Sequence, residues 1–201
     1  ESGIALDSAS VSTTDNASLQ RGAESFVNYC LTCHGASYMR YNRHYDIGFT
    51  NEEILAKLIL TGQKVGGLME SAMQKKEGEE WFGVAPPDLS VIARSRGADW
   101  LYTYLRAFYR DDSTATGWNN LVFDRAAMPH VFYQLQGEQK LIVKISDKGE
   151  QKTLVLDKQG EMTKAEFDNF VGDLVNYLVY LGEHHAKARK KYGIKVRVFI
   201  L

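Results

Sequence analysis

Cys30-Leu31-Thr32-Cys33-His34 decides how the rest of this 201-residue chain is read. The spacing C-x-x-C-H is that of a c-type haem attachment site. Two thiols three positions apart lie about one helical turn from each other, so both can add to the two vinyl groups of one porphyrin. His34 follows directly and is placed to give the iron an imidazole nitrogen. Two cysteines at this spacing also suit a disulfide, a thioredoxin-like redox pair or half of a zinc site. The chain holds only these two cysteines, so no second C-x-x-C completes a zinc knuckle, and a redox pair has no need of His34. Covalent haem is the preferred reading of the pentapeptide.

Upstream, Asn16 or Ser18 caps a helix running to about Tyr29, with Leu19, Ala23, Phe26, Val27 and Cys30 on its apolar side. Gly22 on that face either admits a second helix at close range or is a tolerated glycine. Residues 1–15 are small and polar and form an extended arm. The start shows no secretory leader, which suits a mature or trimmed chain.

Downstream, residues 35–48 are an aromatic and basic loop in which His44 reads as a surface residue. Thr50 and Glu53 form a capping box that opens a helix over 51–61. Residues 62–80 read as a charged surface excursion carrying Met69 and Met73, and Trp81–Pro87 as a tight aromatic turn. A short helix over 88–95 stops at Gly97. Asp99 then caps a helix to about Tyr109 that turns Trp100, Leu101, Tyr104, Leu105 and Phe108 inward. Residues 111–136 read as mostly irregular. The runs 140–145 and 152–156 flank a Gly149 turn and give a β-hairpin. Thr163 and Glu166 cap the longest helix, whose Phe167, Phe170, Val171, Leu174, Leu178 and Leu181 keep helical period as far as the basic stretch near Lys191, with Gly193 interrupting it.

Length and composition suit one domain, with 44% hydrophobic and 24% charged residues. The charge is uneven. Residues 184–201 carry six basic side chains (Lys187, Arg189, Lys190, Lys191, Lys195 and Arg197) and no acidic one, leaving 18 basic against 25 acidic elsewhere, a net of −7. An acidic head attracts a basic partner, and a basic tail suits lipid headgroups; equally, the tail is a solvated helix end favoured by the macrodipole. The apolar ending Val198–Leu201 is far short of the roughly 20 residues that cross a bilayer. It reads either as the start of a cut membrane helix or as an ordinary terminal segment.

With His34 on one face of an iron, the other face takes water, histidine, lysine or methionine. Met39 is too close to His34 in sequence to reach across the ring. Met69 and Met73 sit on the surface excursion, and Met162 at a helix start. Met128, freed from helix geometry by Pro129, is the choice, with His130 second. Filling both axial positions gives an electron carrier rather than an oxygen-activating site, and a thioether favours reduced iron. Arg94 and Arg96 are either solvated or paired with haem propionates.

These features together resemble the cytochrome c1 family. The resemblance rests on Cys30–His34 with Ala36-Ser37-Tyr38-Met39-Arg40-Tyr41-Asn42, on Ala85-Pro86-Pro87-Asp88-Leu89-Ser90 running on to Arg96, on Ala127-Met128-Pro129, and on Asp173–Lys191 before an apolar end. It implies a mainly α, class I cytochrome c-like fold around one haem, with long loops and an inserted β-hairpin near 139–157. It implies haem c on Cys30 and Cys33, His34 and Met128 as iron ligands, Arg96 and Trp100 beside the propionates, and Pro87 on the His34 side. Residues 1–192 are then a haem domain on the periplasmic face of a bacterial inner membrane, and 193–201 the start of a C-terminal anchor. The implied partners are cytochrome b, the Rieske iron–sulfur protein as donor, and a soluble cytochrome c as acceptor. The alternatives are a free periplasmic cytochrome c and a haem enzyme with an open distal site.

Overall fold

The computed structural model describes residues 4–60, 62–147, 149–183, 192–193 and 196–199. Its organising contact is the crossing of two helices, α1 (Asn16–Tyr29) and α7 (Lys164–Glu183). Each buries one apolar stripe: Leu19, Ala23, Phe26 and Val27 on α1, and Phe167, Val171, Leu174, Val175, Tyr177 and Leu178 on α7. Gly22 sits at the crossing. A Cβ there would lie 2.2 Å from the Asp173 carbonyl oxygen and 2.6 Å from the Tyr177 Cβ, so the close-approach reading of Gly22 holds. The Asp173 carboxylate sews the seam. It accepts from Ser18 Oγ at 2.6 Å and from the Arg21 guanidinium at 2.6 and 3.0 Å.

Asp15 caps α1, ahead of both expected residues, Asn16 and Ser18, because its carboxylate accepts from the Ser18 N–H. The N-terminal arm lies extended across α7 and the helix Ala98–Arg106. Asp7 N–H donates to Thr103 Oγ1, Ala9 N–H to Asp99 Oδ1, and Ser12 N–H to Asn176 Oδ1. Asp99 is therefore an anchor for the arm rather than a helix cap.

Between the two long helices the elements are short. β1 (Ala36–Arg40) pairs antiparallel with β2 (Leu68–Met69), and a 3₁₀ helix spans Tyr41–Ile47. The Thr50–Glu53 capping box opens α2 (Asn51–Glu53), which passes at once into a π-helical turn, Ile54–Leu58, and so ends short of the expected 61. α3 (Lys75–Phe82) absorbs Trp81 and Phe82, which had read as a turn. α4 (Ile92–Arg96) begins four residues later than expected, after the extended prolines. α5 (Ala98–Arg106) stops before Phe108, which belongs to a strand. β3 (Phe108–Arg110) and β4 (Trp118–Asn120) form a small hairpin inside the stretch that had read as irregular, followed by α6 (Tyr133–Gln136). The expected β-hairpin near 139–157 is present and longer, as β5 (Gly137–Ser146) and β6 (Gly149–Gln159).

Helix α7 begins at the expected Thr163–Glu166 box. Its continuation to Lys191, and all the tail's basic residues except Arg197, lie outside the described residues. Gly193 is helical rather than an interruption, and Val196, Val198 and Phe199 are exposed. Among the described residues, no helix is long and apolar enough to cross a membrane.

Two surface expectations fail together. His44 and Met69 are fully buried, because both face Tyr177. His44 Nδ1 lies 2.8 Å from the Tyr41 carbonyl, which makes it the protonated nitrogen. Nε2 then accepts the Tyr177 hydroxyl at 2.7 Å. That hydroxyl has one proton, so its 3.6 Å approach to the Met69 sulfur is a packing contact. Burial pushes the His44 pKa down to about 4.

Two outcomes follow from this core. Gly22→Ala gains about 1 kcal/mol of helix propensity but overlaps the Asp173 carbonyl, a clash that costs about 1–3 kcal/mol or more; denaturant unfolding will show a net loss. His44 is neutral when folded and has a pKa of about 6.5 when unfolded, so the unfolded chain binds the extra proton in the window between. Its contribution is fully present above about pH 6.5 and is lost as pH falls towards 4, by up to about 3 kcal/mol. Unfolding free energies measured from pH 7 to pH 4.5 check it.

Candidate functional site

Helix α1 ends in Cys30, whose N–H donates to the Phe26 carbonyl at 2.8 Å. The chain then makes one more turn, with Cys33 and His34 N–H groups both donating to the Cys30 carbonyl at 3.1 and 2.8 Å. The pentapeptide is thus a single helical turn, as its spacing requires. Both cysteines are unpaired thiols. Burial pushes Cys30 up to about 12, helped by Cys33 nearby, and burial raises Cys33 as well. They are neutral, unlike the low-pKa thiolate of a redox pair. Among the described residues, no group of three His, Cys, Asp or Glu converges to hold a metal.

His34 is oriented from outside its own segment. Its Nδ1 sits 2.7 Å from the Pro87 carbonyl. Nδ1 therefore carries the proton and donates, leaving the Nε2 lone pair free for a metal. Burial lowers the His34 pKa despite the opposing Pro87 carbonyl and Asp88 carboxylate. The carbonyl is held in place by its neighbours. Leu89 N–H donates to the Gly35 carbonyl at 2.7 Å. Asp88 Oδ2 accepts from Ser37 N–H and Oγ at 2.8 and 2.6 Å, and Asp88 Oδ1 from Ser90 N–H at 2.8 Å. Burial works to raise the Asp88 pKa, but the hydrogen bonds outweigh it and the pKa is lowered.

Met128 faces the same space. A cavity of about 80 Å³ is lined by His34 and Met128 together with Phe82, Val84, Pro86, Pro87, Ala127 and Pro129. It shares walls with two larger open clefts. One, of about 1130 Å³, shares Phe82, Ala127 and Pro129; the other, of about 590 Å³, shares Pro86 and reaches Cys33. Apolar walls between an imidazole nitrogen and a thioether sulfur, with two free thiols one turn away, are the donor set and lining that a flat apolar macrocycle needs. The residues fit a haem of the c type.

The loop carrying Met128 is organised by two buried asparagines. Asn119 Oδ1 accepts from Asn120 and Arg125 N–H, and its amide donates to Asp111 and Asp124. Asn120 Oδ1 accepts from Val122 and Phe123 N–H, and its amide donates to the Tyr104 carbonyl at 2.8 Å. This network holds Arg125 at φ 56°, a left-handed conformation rare for a non-glycine residue, three positions before Met128. The adjacent Asn119-Asn120 pair was the available sequence signal, passed over within a stretch read as irregular.

The structure brings Arg96 and Trp100 together, with the guanidinium 5.0 Å from the indole ring and 5.8 Å from Phe123. Trp100 stacks on Tyr104 at 4.8 Å and 10°. The Tyr104 hydroxyl donates to the Met128 sulfur at 3.6 Å. Burial pushes Tyr104 up to about 12, against the pull of Arg96, so it remains a protonated donor. In the sequence Tyr104 reads only as one of the inward residues of its helix. Arg94 pairs instead with Glu183. The second candidate ligand, His130, is 2% exposed and stacks on Phe108, away from the cavity that Met128 lines.

Against known proteins, residues 7–80 and 69–201 match the model of the Cytochrome C1 family. A cytochrome c1 of Allochromatium vinosum is 41% identical over 97% of this chain and 82% of its own length. The chain belongs to the cytochrome c1 family. A Nitrosomonas europaea protein named ammonia monooxygenase gamma subunit is 61% identical over 98% of this chain and 82% of its own length. The cytochrome c1 of Rhodospirillum rubrum is 26% identical over 92% of the chain. Family membership makes the chain an electron-transfer haem subunit of a bc1 complex.

The asparagine network yields a test. Asn119→Ala leaves the Asn120 and Arg125 N–H groups without their acceptor and takes one bond each from Asp124 and from Asp111, which keeps Ser113; an unmet buried group costs about 1–3 kcal/mol. Denaturant unfolding will show a loss of about 2–4 kcal/mol.

Proposed function

We propose that this chain takes electrons from a Rieske iron–sulfur protein and passes them to a soluble cytochrome c, beside cytochrome b at a bacterial inner membrane. Cys30 and Cys33 would hold one haem c through thioethers, and His34 and Met128 would supply the ligands to its iron. The observation that carries this reading is the shared cavity: His34, with Nε2 free, and Met128 face one apolar space. The bound haem supplies a one-electron ferrous–ferric couple.

Each remaining role belongs to the chain's own residues. The Pro87 carbonyl keeps His34 in the tautomer that offers Nε2, at the 2.7 Å of the observed contact. Arg96, stacked on Trp100, presents a guanidinium of fixed orientation to the carboxylate side chains of the macrocycle. Phe82, Val84, Pro86 and Ala127 exclude water from the space between the ligands. No side chain acts as acid, base or nucleophile. With both His34 and Met128 as its ligands, the iron would exchange electrons without binding small molecules. Residues 1–192 form this haem domain on the periplasmic side. Residues 193–201 begin a C-terminal anchor, in keeping with their exposed Val196, Val198 and Phe199. The net −7 outside the tail speeds encounter with a basic acceptor.

Met128 is the residue on which the carrier reading turns. The ferrous wild-type protein is expected not to bind carbon monoxide, whereas Met128→Ala binds it readily, with the pigment retained by Cys30 and Cys33. Ready binding by the wild type would replace this reading with an open-site haem enzyme. Affinity purification from membranes is expected to bring down cytochrome b and the Rieske protein; recovery of the chain alone favours a free carrier.

A further inference from the structure

The Tyr104 hydroxyl points at the one sulfur that the reading above assigns to iron. Three contacts fix it there. The ring stacks on Trp100 at 4.8 Å and meets the edge of Phe108 at 5.2 Å, and the Tyr104 carbonyl is tied to the Asn120 amide at 2.8 Å. The hydroxyl approaches the Met128 sulfur at 3.6 Å. Unlike Tyr177, whose proton goes to an imidazole nitrogen, Tyr104 has this thioether as its acceptor. A buried phenol ordinarily finds a stronger acceptor than sulfur, so the choice needs an explanation.

We infer that Tyr104 is a positioning residue that sets the donor strength of Met128 and so raises the potential of the iron that Met128 binds. The inference rests on Met128 being that iron's ligand. A thioether sulfur has two lone pairs. One goes to the metal, and the other accepts the Tyr104 O–H. The hydroxyl hydrogen draws electron density from the sulfur and directs the positive end of its dipole towards the metal. Both effects disfavour the ferric ion, which carries the extra positive charge and depends more on a good donor. Both also vanish with the hydroxyl. The same bond restrains a side chain with three rotatable bonds, which would otherwise sample several rotamers around the metal. The aromatic series then has an order: Arg96 over Trp100, Trp100 on Tyr104, Tyr104 onto Met128.

Tyr104→Phe in the full haem-loaded protein removes only the oxygen. Its midpoint potential is expected to fall by the equivalent of about a threefold loss in the ferrous-to-ferric ratio at the wild-type midpoint, roughly half of one neutral hydrogen bond. The far-red charge-transfer band of thioether-ligated ferric haem is expected to persist at a changed energy. Tyr102→Phe removes a phenol from the same helix that packs under Arg106 instead, and is expected to leave the potential unchanged. In the reduced wild type, the Tyr104 hydroxyl proton is expected to show a nuclear Overhauser contact to the Met128 methyl, a reading that does not depend on the variant folding. An unchanged potential in Tyr104→Phe with the band intact, or a missing hydroxyl–methyl contact, overturns the inference and spares the ligand assignment. Absence of the band in the wild type itself overturns both.

Discussion

The hydrogen bond from His34 Nδ1 to the Pro87 carbonyl is the contact that orients the imidazole of the site. It determines which imidazole nitrogen is free, and it couples the Cys30–His34 turn to a segment more than fifty residues away. Around it, the Asp88 carboxylate and the Leu89 N–H bind the proline segment to residues 35–37, so the carbonyl cannot drift from the ring. Two prolines are suited to this position. Neither has an N–H to satisfy, and their fixed φ keeps the backbone from closing into a helix. The opposite ligand candidate is held by different means. Met128 sits on a loop with no regular structure, and its rigidity comes from two buried asparagines that saturate the loop's own N–H groups.

The scaffold supports these two arms by bringing helix ends, rather than helix faces, to the site. α1 delivers Cys30 at its C-terminus, and α7 braces α1 across the Gly22 contact. The cost of that tight crossing is a polar seam, buried at Ser18 and Asn176 and open at Arg21, in which these three and Asp173 all have partners. The same packing encloses His44 and Tyr177, a neutral pair completing its own hydrogen bonds inside the core.

Much of this was legible in the sequence where a local rule governs it. The pentapeptide, the Thr50 and Thr163 capping boxes, the Gly22 close approach and the Gly149 hairpin each depend on residues a few positions apart. What was missed depends on partners far along the chain. His44 had the look of a loop histidine because nothing near it in sequence announces Tyr177, 133 positions away. Met69 failed for the same reason. The helix expected to end near Tyr109 stops at Arg106 because Phe108–Arg110 pairs with Trp118–Asn120, a tertiary demand that overrides helical period. Met128 was reached by eliminating the other methionines, while the phenol that contacts it looked like any other inward aromatic of α5. The family, in turn, was evident from motifs spread over nearly the whole chain.

The account stands or falls on whether Cys30 and Cys33 are joined to a porphyrin. Intact-mass measurement of the purified, matured chain after full denaturation tests this directly. The account predicts a mass greater than the polypeptide's by one iron protoporphyrin, with the increment confined to the peptide spanning Cys30 and Cys33. The bare polypeptide mass, or a loss of two hydrogens marking a disulfide between them, would contradict it.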